Sequence, residues 1–453
     1  MLKRYFKEIK TLSKIGIPIF GTQMSYMLMG TTDTIIAGRA SSLDLAGLGQ
    51  GTIISNTIFF LFCGVIFSVT PIVAQLNGAK RYVEIGKKLR EILWIAGLLG
   101  FVLMIVLINI NPVINTIYDF LNLDIDKELQ KIATDYLRVV APGIAFLTIF
   151  SCLRCYSEGM ALTLPVFIIS VSAMLINIPL DIIFVYGLFG APKLGGVGCG
   201  IATSIVTFSA MIVMACYIAF SKKYSKTKPF SEFTPPSLET FKEVFKLGFP
   251  IGFGIFIELS MFSGAGLIIA VLGPTILASH LIAINIASLF FVVPLSIGLA
   301  SATRVGNLVG EEKPSDAKFA SFAAVYFCLI TALINMVVIL AFKTQLVGLY
   351  NNEEIVIATA SALLIFAAIF QIPDGIQMGA LGSLRGYKDT FIPMILLLIS
   401  YWIFALPTGY YLSVGSTDAL GASGMWIAMI LGLCIFAVLS IIRLRHINNR
   451  FIN

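Results

Sequence analysis

The chain has 453 residues, of which 58% are hydrophobic and only 12% charged, with a formal net charge of +7. Water-soluble domains carry about 25% charged residues. A soluble enzyme or soluble binding module is therefore excluded, and a polytopic membrane protein is indicated.

Apolar stretches of the ~20 residues that a helix needs to cross a bilayer recur at 15–37, 50–72, 92–110, 132–153, 165–187, 198–220, 249–272, 276–303, 320–342, 356–382, 391–413 and 422–442. The first is too long for the apolar core of a signal peptide and no small-residue cleavage site follows it, so it reads as a retained span. Twelve spans place both chain ends on one side. Most of the 31 basic residues fall in the amino-terminal segment (Lys3, Arg4, Lys7, Lys10, Lys14), the even-numbered connections and the carboxyl-terminal tail. The positive-inside rule makes those faces cytoplasmic. The same spread over short turns argues against a nucleic-acid stripe.

The chain repeats itself. "KIGIPI" at 14–19 matches "KLGFPI" at 246–251 and "VAQLNG" at 73–78 matches "VGNLVG" at 305–310, both at an offset of 232. "APGIAFLTIFSCLRCYSEG" at 141–159 then matches "IPDGIQMGALGSLRGYKDT" at 372–390, and "LGGVGCGIA" at 194–202 matches "LGASGMWIA" at 420–428. Matches in order at a near-constant spacing predict two six-helix lobes running in the same direction, as in many transporters. The expected boundaries are 1–220 for the first lobe, 244–453 for the second and a polar, proline-bearing cytoplasmic linker over 221–243.

Of the 24 acidic residues, four fall at membrane depth: Asp33, Asp181, Glu258 and Asp374. A carboxylate at a helix centre costs roughly 3 kcal/mol. The Ile, Leu, Phe and Val side chains of the span 249–272 return about 0.4 kcal/mol each, so the helix still inserts around Glu258. The repeat partners of the four acids are Gly143 for Asp374, Tyr26 for Glu258, Ala265 for Asp33 and Gly409 for Asp181. None is acidic, so the fold itself does not demand these charges. Intramembrane acids mark functional sites by default, the alternative being carboxyls that hydrogen-bond helices together.

Phe370 and Asp374 share a helix face, as do Asn177 and Asp181. Each pair brackets a proline, Pro373 or Pro179, that deprives the carbonyl four residues earlier, Ile369 or Leu175, of its donor. A carboxylate, a second polar or π group and a spare carbonyl together suit a small desolvated cation or a proton. Glu258 completes the second-lobe site if the bundle brings it near Asp374. Two close carboxylates hold one proton or share one sodium ion, and either relieves their repulsion.

No GxxxxGK[ST] occurs, which leaves ATP-driven pumping by this chain unsupported, and no HExxH is present. His280, near the outer start of the eighth span, reads as a packing residue and His446 belongs to the basic tail. Cys152 and Cys155 form a CxxC inside a span, where it merely sets two small side chains three apart. The glycines at 195–200 follow no strand and read as a turn or close packing. Met24, Met27 and Met29, with Phe256, Met261 and Phe262, either line a soft cavity or pack helices.

"TTDTIIAG", "PIVAQLNGA", "NIPLDIIFVYG", "LGGVGCGIAT", "GSLRGYKD" and "SYWIFALPTGYYL", in order over essentially the whole chain, resemble the multidrug and toxic compound extrusion (MATE) family, NorM-type bacterial branch. The resemblance implies an all-α, twelve-helix, two-lobe antiporter with a central cleft. Such a protein exports cationic and amphiphilic drugs and dyes by alternating access while Na+ or H+ runs inward, with no other cofactor. It implies a second-lobe cation site of Glu258 and Asp374, with Phe370 as the aromatic one turn before, and a first-lobe coupling site of Asp33 and Asn177. Here Phe370 stands where relatives can have tyrosine. Asp181 stands where they can have asparagine, which favours proton use in the first lobe and leaves the coupling ion open. The expected setting is a bacterial inner membrane with both termini cytoplasmic, and the expected functional unit is a single chain. The rival reading is a lipid-precursor flippase of the same broader superfamily, which tends to carry cationic residues in its cleft; no Lys or Arg of this sequence falls convincingly mid-span. An intramembrane enzyme is disfavoured by the lack of DDxxD and GxGD motifs.

Overall fold

A computed structural model describes residues 2–121 and 126–452 and is helical across the predicted spans, with one break in the second. The helices are α1 (Leu2–Ala40), α2 (Ser42–Cys63), α3 (Val69–Gly78), α4 (Tyr82–Ile108), α5 (Asn111–Leu121), α6 (Lys127–Gly159), α7 (Thr163–Tyr186), α8 (Gly196–Phe220), α9 (Leu238–Ala270), α10 (Pro274–Gly310), α11 (Pro314–Gly348), α12 (Glu354–Gly386), α13 (Phe391–Gly415) and α14 (Ala422–Ile452). Among the described residues, eleven of these are long and apolar enough to cross a membrane. The remaining predicted span lies in α1, whose 39 residues reach ~58 Å. It misses the apolar criterion because Gly21, Thr22, Gln23, Ser25, Thr31, Thr32, Asp33 and Thr34 interrupt its hydrophobic run. Hydrocarbon tolerates no unpaired backbone, and helices satisfy their own. Many large apolar side chains face outward, Ile53, Leu267 and Val337 among them, as a lipid-facing surface requires.

Helix ends follow local chemistry. Ser41 caps α2 by accepting from the amides of Leu43 and Asp44, and Asp126 caps α6 by accepting from Glu128, each filling an orphan donor. Gly187, at φ 72°, ends α7 in the left-handed conformation that glycine adopts freely. The second span departs from its hydropathy. Sequence predicts 50–72, yet α2 stops at Cys63, a 3-10 turn covers Ile66–Ser68, and α3 continues from Val69. At the break, a Cβ on Gly64 would lie 2.0 Å from Gly252 Cα, so α2 and α9 touch backbone to backbone. α13 contains two π-helical turns, Ile399–Ala405 and Tyr411–Gly415, flanking Pro407, which has no N–H to give the carbonyl of Ile403.

The chain forms two compact units. One comprises Met1–Phe20, Gly78–Lys80 and Phe253–Asn453, and the other Gly21–Asn77 and Arg81–Gly252. The sequence boundaries put all of α1 in the first lobe and leave the start of α9 in the linker, whereas each of these helices divides between the units just after a proline, Pro18 or Pro250. In the first unit the core runs from Ile257 through Leu364 and Tyr401 to Phe436. A smaller cluster there seats Leu12, Ile15 and Ile19 of α1 against Ala300 and Ala324. Glu8 receives Arg304 through two contacts, 2.6 and 3.1 Å. In the second unit, cores around Ile72, Leu89 and Tyr156 and around Leu103 and Leu137 lie between α2, α4, α6 and α8. The start of α9 is fixed there by Lys88 to Glu243 at 2.8 Å and by the Thr240 hydroxyl donating to Glu91.

Side chains of the polar segment 221–237 pack into the second unit. Its 3-10 turn, Lys222–Thr227, buries Tyr224 and Thr227, which bond Ser157 at 2.9 Å and Tyr156 at 2.7 Å.

Candidate functional site

Each unit holds a carboxyl pair bridged by one side-chain amide. In the Gly21–Asn77 and Arg81–Gly252 unit, α1 supplies Asp33 and α7 supplies Asn177 and Asp181 one turn apart. All three are buried, Asn177 and Asp181 at 0% exposure. With its nitrogen facing the acids, Asn177 donates to Asp33 Oδ1 and to Asp181 Oδ2, both at 2.9 Å. The opposite amide orientation would set a carbonyl against two carboxyls. The other oxygen of Asp181, Oδ1, is buried with no hydrogen-bond partner, which leaves one acceptor position open for a proton or a cation. Cys199 of α8 closes this side, its thiol 3.8 Å from the Asp33 carbonyl.

In the other unit Asp374 is buried and Glu258 half-buried. Gln377, one turn beyond Asp374 on α12, donates to Asp374 Oδ1 at 2.7 Å and reaches Glu258 Oε1 at 3.5 Å. Tyr401, carried by the first π turn of α13, donates its hydroxyl to Gln377 Oε1 at 2.9 Å. The structure thus brings Glu258 and Asp374 to one amide. Phe370 sits in an aromatic cluster, with ring centroids 6.0 Å from Phe262 and 6.1 Å from Trp426. Next to Phe370 in the chain, Gln371 donates to the Ala287 carbonyl at 3.1 Å and Asn335 donates to Gln371 at 3.4 Å.

Sequence reasoning missed four contributors. Gln377 and Tyr401 are uncharged and pass unnoticed in apolar runs; their signal was position, three residues after Asp374 and within the "SYW" stretch. Arg154 and Arg385 stand near span ends in the sequence, yet both side chains are enclosed in the fold. Arg154 lies 3.6 Å from Glu158, donates to Gln23 Oε1 at 3.3 Å and sits 5.9 Å from the Tyr26 ring. Arg385 is the opposite charge that acts on Glu258. The repeat pairs Arg154 with Arg385 and Tyr26 with Glu258. One arrangement recurs in both units, with an aromatic partner in one and a carboxylate in the other.

The remaining singled-out groups have structural roles. Cys152 and Cys155 are buried free thiols. His280 is buried edge-on to Trp426 at 5.7 Å. Gly196 donates its amide to Asp44 Oδ1 at 2.8 Å, joining the start of α8 to that of α2. Of the methionines, Met29 lines a small cavity with Tyr26, Phe150 and Ser170, while Met261 packs in the core. Among the described residues no three His, Cys, Asp or Glu side chains gather as a metal cluster. Two carboxylates with neutral oxygens suit a monovalent cation or a proton better than a transition metal.

Fold and site together define an integral membrane helical bundle with amide-bridged acids in each of two repeated units. Residues 18–183 and 250–411 both match the MatE family model, and the two matches open on the paired prolines, Pro18 and Pro250. The chain is 36% identical over 441 residues to the multidrug resistance protein NorM of Vibrio cholerae, spanning 97% of this chain and 95% of that one. It is 34% identical over 442 residues to the multidrug resistance protein MdtK of Proteus mirabilis, again 97% and 95%. The crystal structure of the eukaryotic MATE transporter AtDTX14 superposes with a TM-score of 0.86 at 21% identity, covering 99% of this chain and all of that one. The chain belongs to the MatE family, in its NorM-type bacterial branch.

Proposed function

We propose that this chain is a multidrug efflux antiporter of a bacterial inner membrane, exporting cationic and amphiphilic drugs in exchange for inward Na+ or H+, with both termini cytoplasmic and one chain as the transporting unit. The observation that carries the coupling reading is the Gln377 amide held between Asp374 and Glu258. With both acids ionised, one neutral donor serves two negative charges, and an added proton or sodium ion relieves the repulsion that remains. Protonation turns one carboxyl into a donor. A sodium ion instead draws both carboxyls and leaves the amide free to turn, provided Tyr401 releases Oε1. Either event changes the bonds among α9, α12 and α13, and a ligand shifts a conformational equilibrium only through such differential contacts. The Asp33–Asn177–Asp181 set offers a second protonation site, with Asp181 Oδ1 as its open acceptor.

The names of the NorM and MdtK relatives support drugs as the cargo. A flippase for an anionic lipid precursor needs an uncommitted cation, and Arg154 already faces Glu158 while Arg385 faces Glu258. The test is dye efflux from vesicles under an imposed sodium gradient and, separately, a pH gradient, for the native chain and Asp374→Asn. The neutral isostere should lose gradient-driven efflux while remaining folded. Unchanged efflux under both gradients would refute the assignment, and the native protein's response to each gradient identifies the ion.

A further inference from the structure

The segment joining the repeats folds back onto α4 and is held there by side chains that lie outside both carboxyl sites. Arg90 donates Nε to Thr234 Oγ1 at 2.7 Å and a terminal nitrogen to the Lys228 carbonyl at 2.8 Å. Trp94 donates its indole N–H to the Thr234 carbonyl at 3.0 Å. The Phe233 ring meets Trp94 edge-on at 5.9 Å. Trp94 lies twelve residues beyond the start of α4, ~18 Å along the helix, at the level where the predicted apolar span begins. Aromatic side chains favour that depth, where ring and headgroups meet.

What the clamp presents outward is chemically mixed. Phe233 is 81% exposed, Phe220 86% and Phe230 44%. Beside them in the chain, on the 3-10 turn, Lys222, Lys223 and Lys226 are exposed and, among the described residues, none of them has an ion-pair partner within 4.0 Å. Lys226 instead lies 5.5 Å from the Tyr82 ring. A segment that displays exposed phenyl rings beside exposed ammonium groups without carboxylate partners is complementary to one partner. That partner is an anionic phospholipid, whose acyl chain meets the rings and whose phosphate meets the lysines.

We propose that residues 220–234, braced by Arg90 and Trp94, form a binding surface for the headgroup of an anionic phospholipid. The inference needs membrane insertion only and is independent of the cargo or coupling ion. A surface of this kind anchors the start of α9 against α4, so bound lipid would hold the segment in register.

The test uses the purified full chain in detergent, with native mass spectrometry to count retained lipid after addition of phosphatidylglycerol or phosphatidylcholine. The native protein should retain phosphatidylglycerol in preference. The K222Q/K223Q/K226Q variant should lose roughly five-fold in apparent affinity per lysine, and Phe233→Ser should weaken retention of both lipids. K222Q and K223Q singly keep the measurement readable if the triple variant expresses poorly. Excess inorganic phosphate should leave the lipid adducts in place. Equal retention of the two lipids by the native chain, an unchanged preference in the lysine variants, or displacement by phosphate would overturn the proposal.

Discussion

Tyr401 donates its hydroxyl to Gln377 Oε1 at 2.9 Å, and this one bond decides which way the amide faces. With Oε1 engaged by a donor, Nε2 is the end left for Asp374 and Glu258. A tyrosine on α13 therefore orients the polar group that α12 offers to an acid on α9. The π turn matters here because it carries Tyr401 inward to full burial, while its neighbour Trp402 points out and donates to Ser260 at 2.9 Å.

Tyr401→Phe should therefore affect ion binding without touching a carboxylate. It leaves Gln377 Oε1 buried and unpaired, a loss of about 1–2 kcal/mol. The amide becomes free to turn, so sodium- or proton-dependent thermal stabilisation in detergent should need several-fold more ion. A melting curve whose ion dependence matches the native chain's would show that the hydroxyl does not orient the amide.

In the other unit the prediction separates hydrogen bonding from ionisation. Asn177→Leu removes both donors from Asp33 and Asp181, and with charge-assisted bonds at roughly 1.5–3 kcal/mol each the fold should lose about 3 kcal/mol in a thermal or chemical melt. Asp181→Asn keeps an acceptor for Asn177 and should cost under ~1 kcal/mol. That variant should still lower pH-gradient-driven efflux while sparing sodium-driven efflux. Equal loss under both gradients would make this acid a packing residue.

Membrane depth made Asp33, Asp181, Glu258 and Asp374 conspicuous in the sequence, because a carboxylate within a predicted span is costly. Glu8, Glu91 and Glu158 are buried as well, yet they stand in basic stretches at span ends, where a carboxylate looks solvated. Their burial comes from Arg304, Thr240 and Arg154, two of which are distant in sequence. Gln377 and Tyr401 were hidden for a different reason, since neutral polar groups are unexceptional in helices until a third element brings their partners. The helix pattern was legible from hydropathy except where it met a backbone contact. The run through Gly64 reads as one span, and the close approach of Gly252 at the point where α2 ends is invisible in hydropathy.

Glu8 and Arg304 test how firmly the start of α1 is fixed. Their paired contacts of 2.6 and 3.1 Å have side chains 11% and 26% exposed respectively, so the pair is neither fully desolvated nor on the surface. Breaking a buried pair is worth 3–5 kcal/mol, and partial exposure lowers this to about 2–3 kcal/mol for Arg304→Ala. E8A/R304A should recover part of the loss, because no lone charge remains. A double-mutant cycle with no coupling would mean that the bonds are incidental to stability.

The close crossing of α2 and α9 gives the sharpest steric prediction. A methyl at position 64 would sit 2.0 Å from Gly252 Cα and 3.1 Å from the Phe60 carbonyl oxygen. Backbone cannot move aside as a flexible side chain can, so Gly64→Ala should destabilise by about 3 kcal/mol or more. At Gly30, by contrast, an added Cβ meets nothing within 4 Å, and the helix should gain up to ~1 kcal/mol from the better helix former. The two single-methyl variants, compared by detergent melting and by recovery of monodisperse protein, should shift in opposite directions. Matching behaviour would mean that α2 and α9 do not touch at Gly64 in the folded protein.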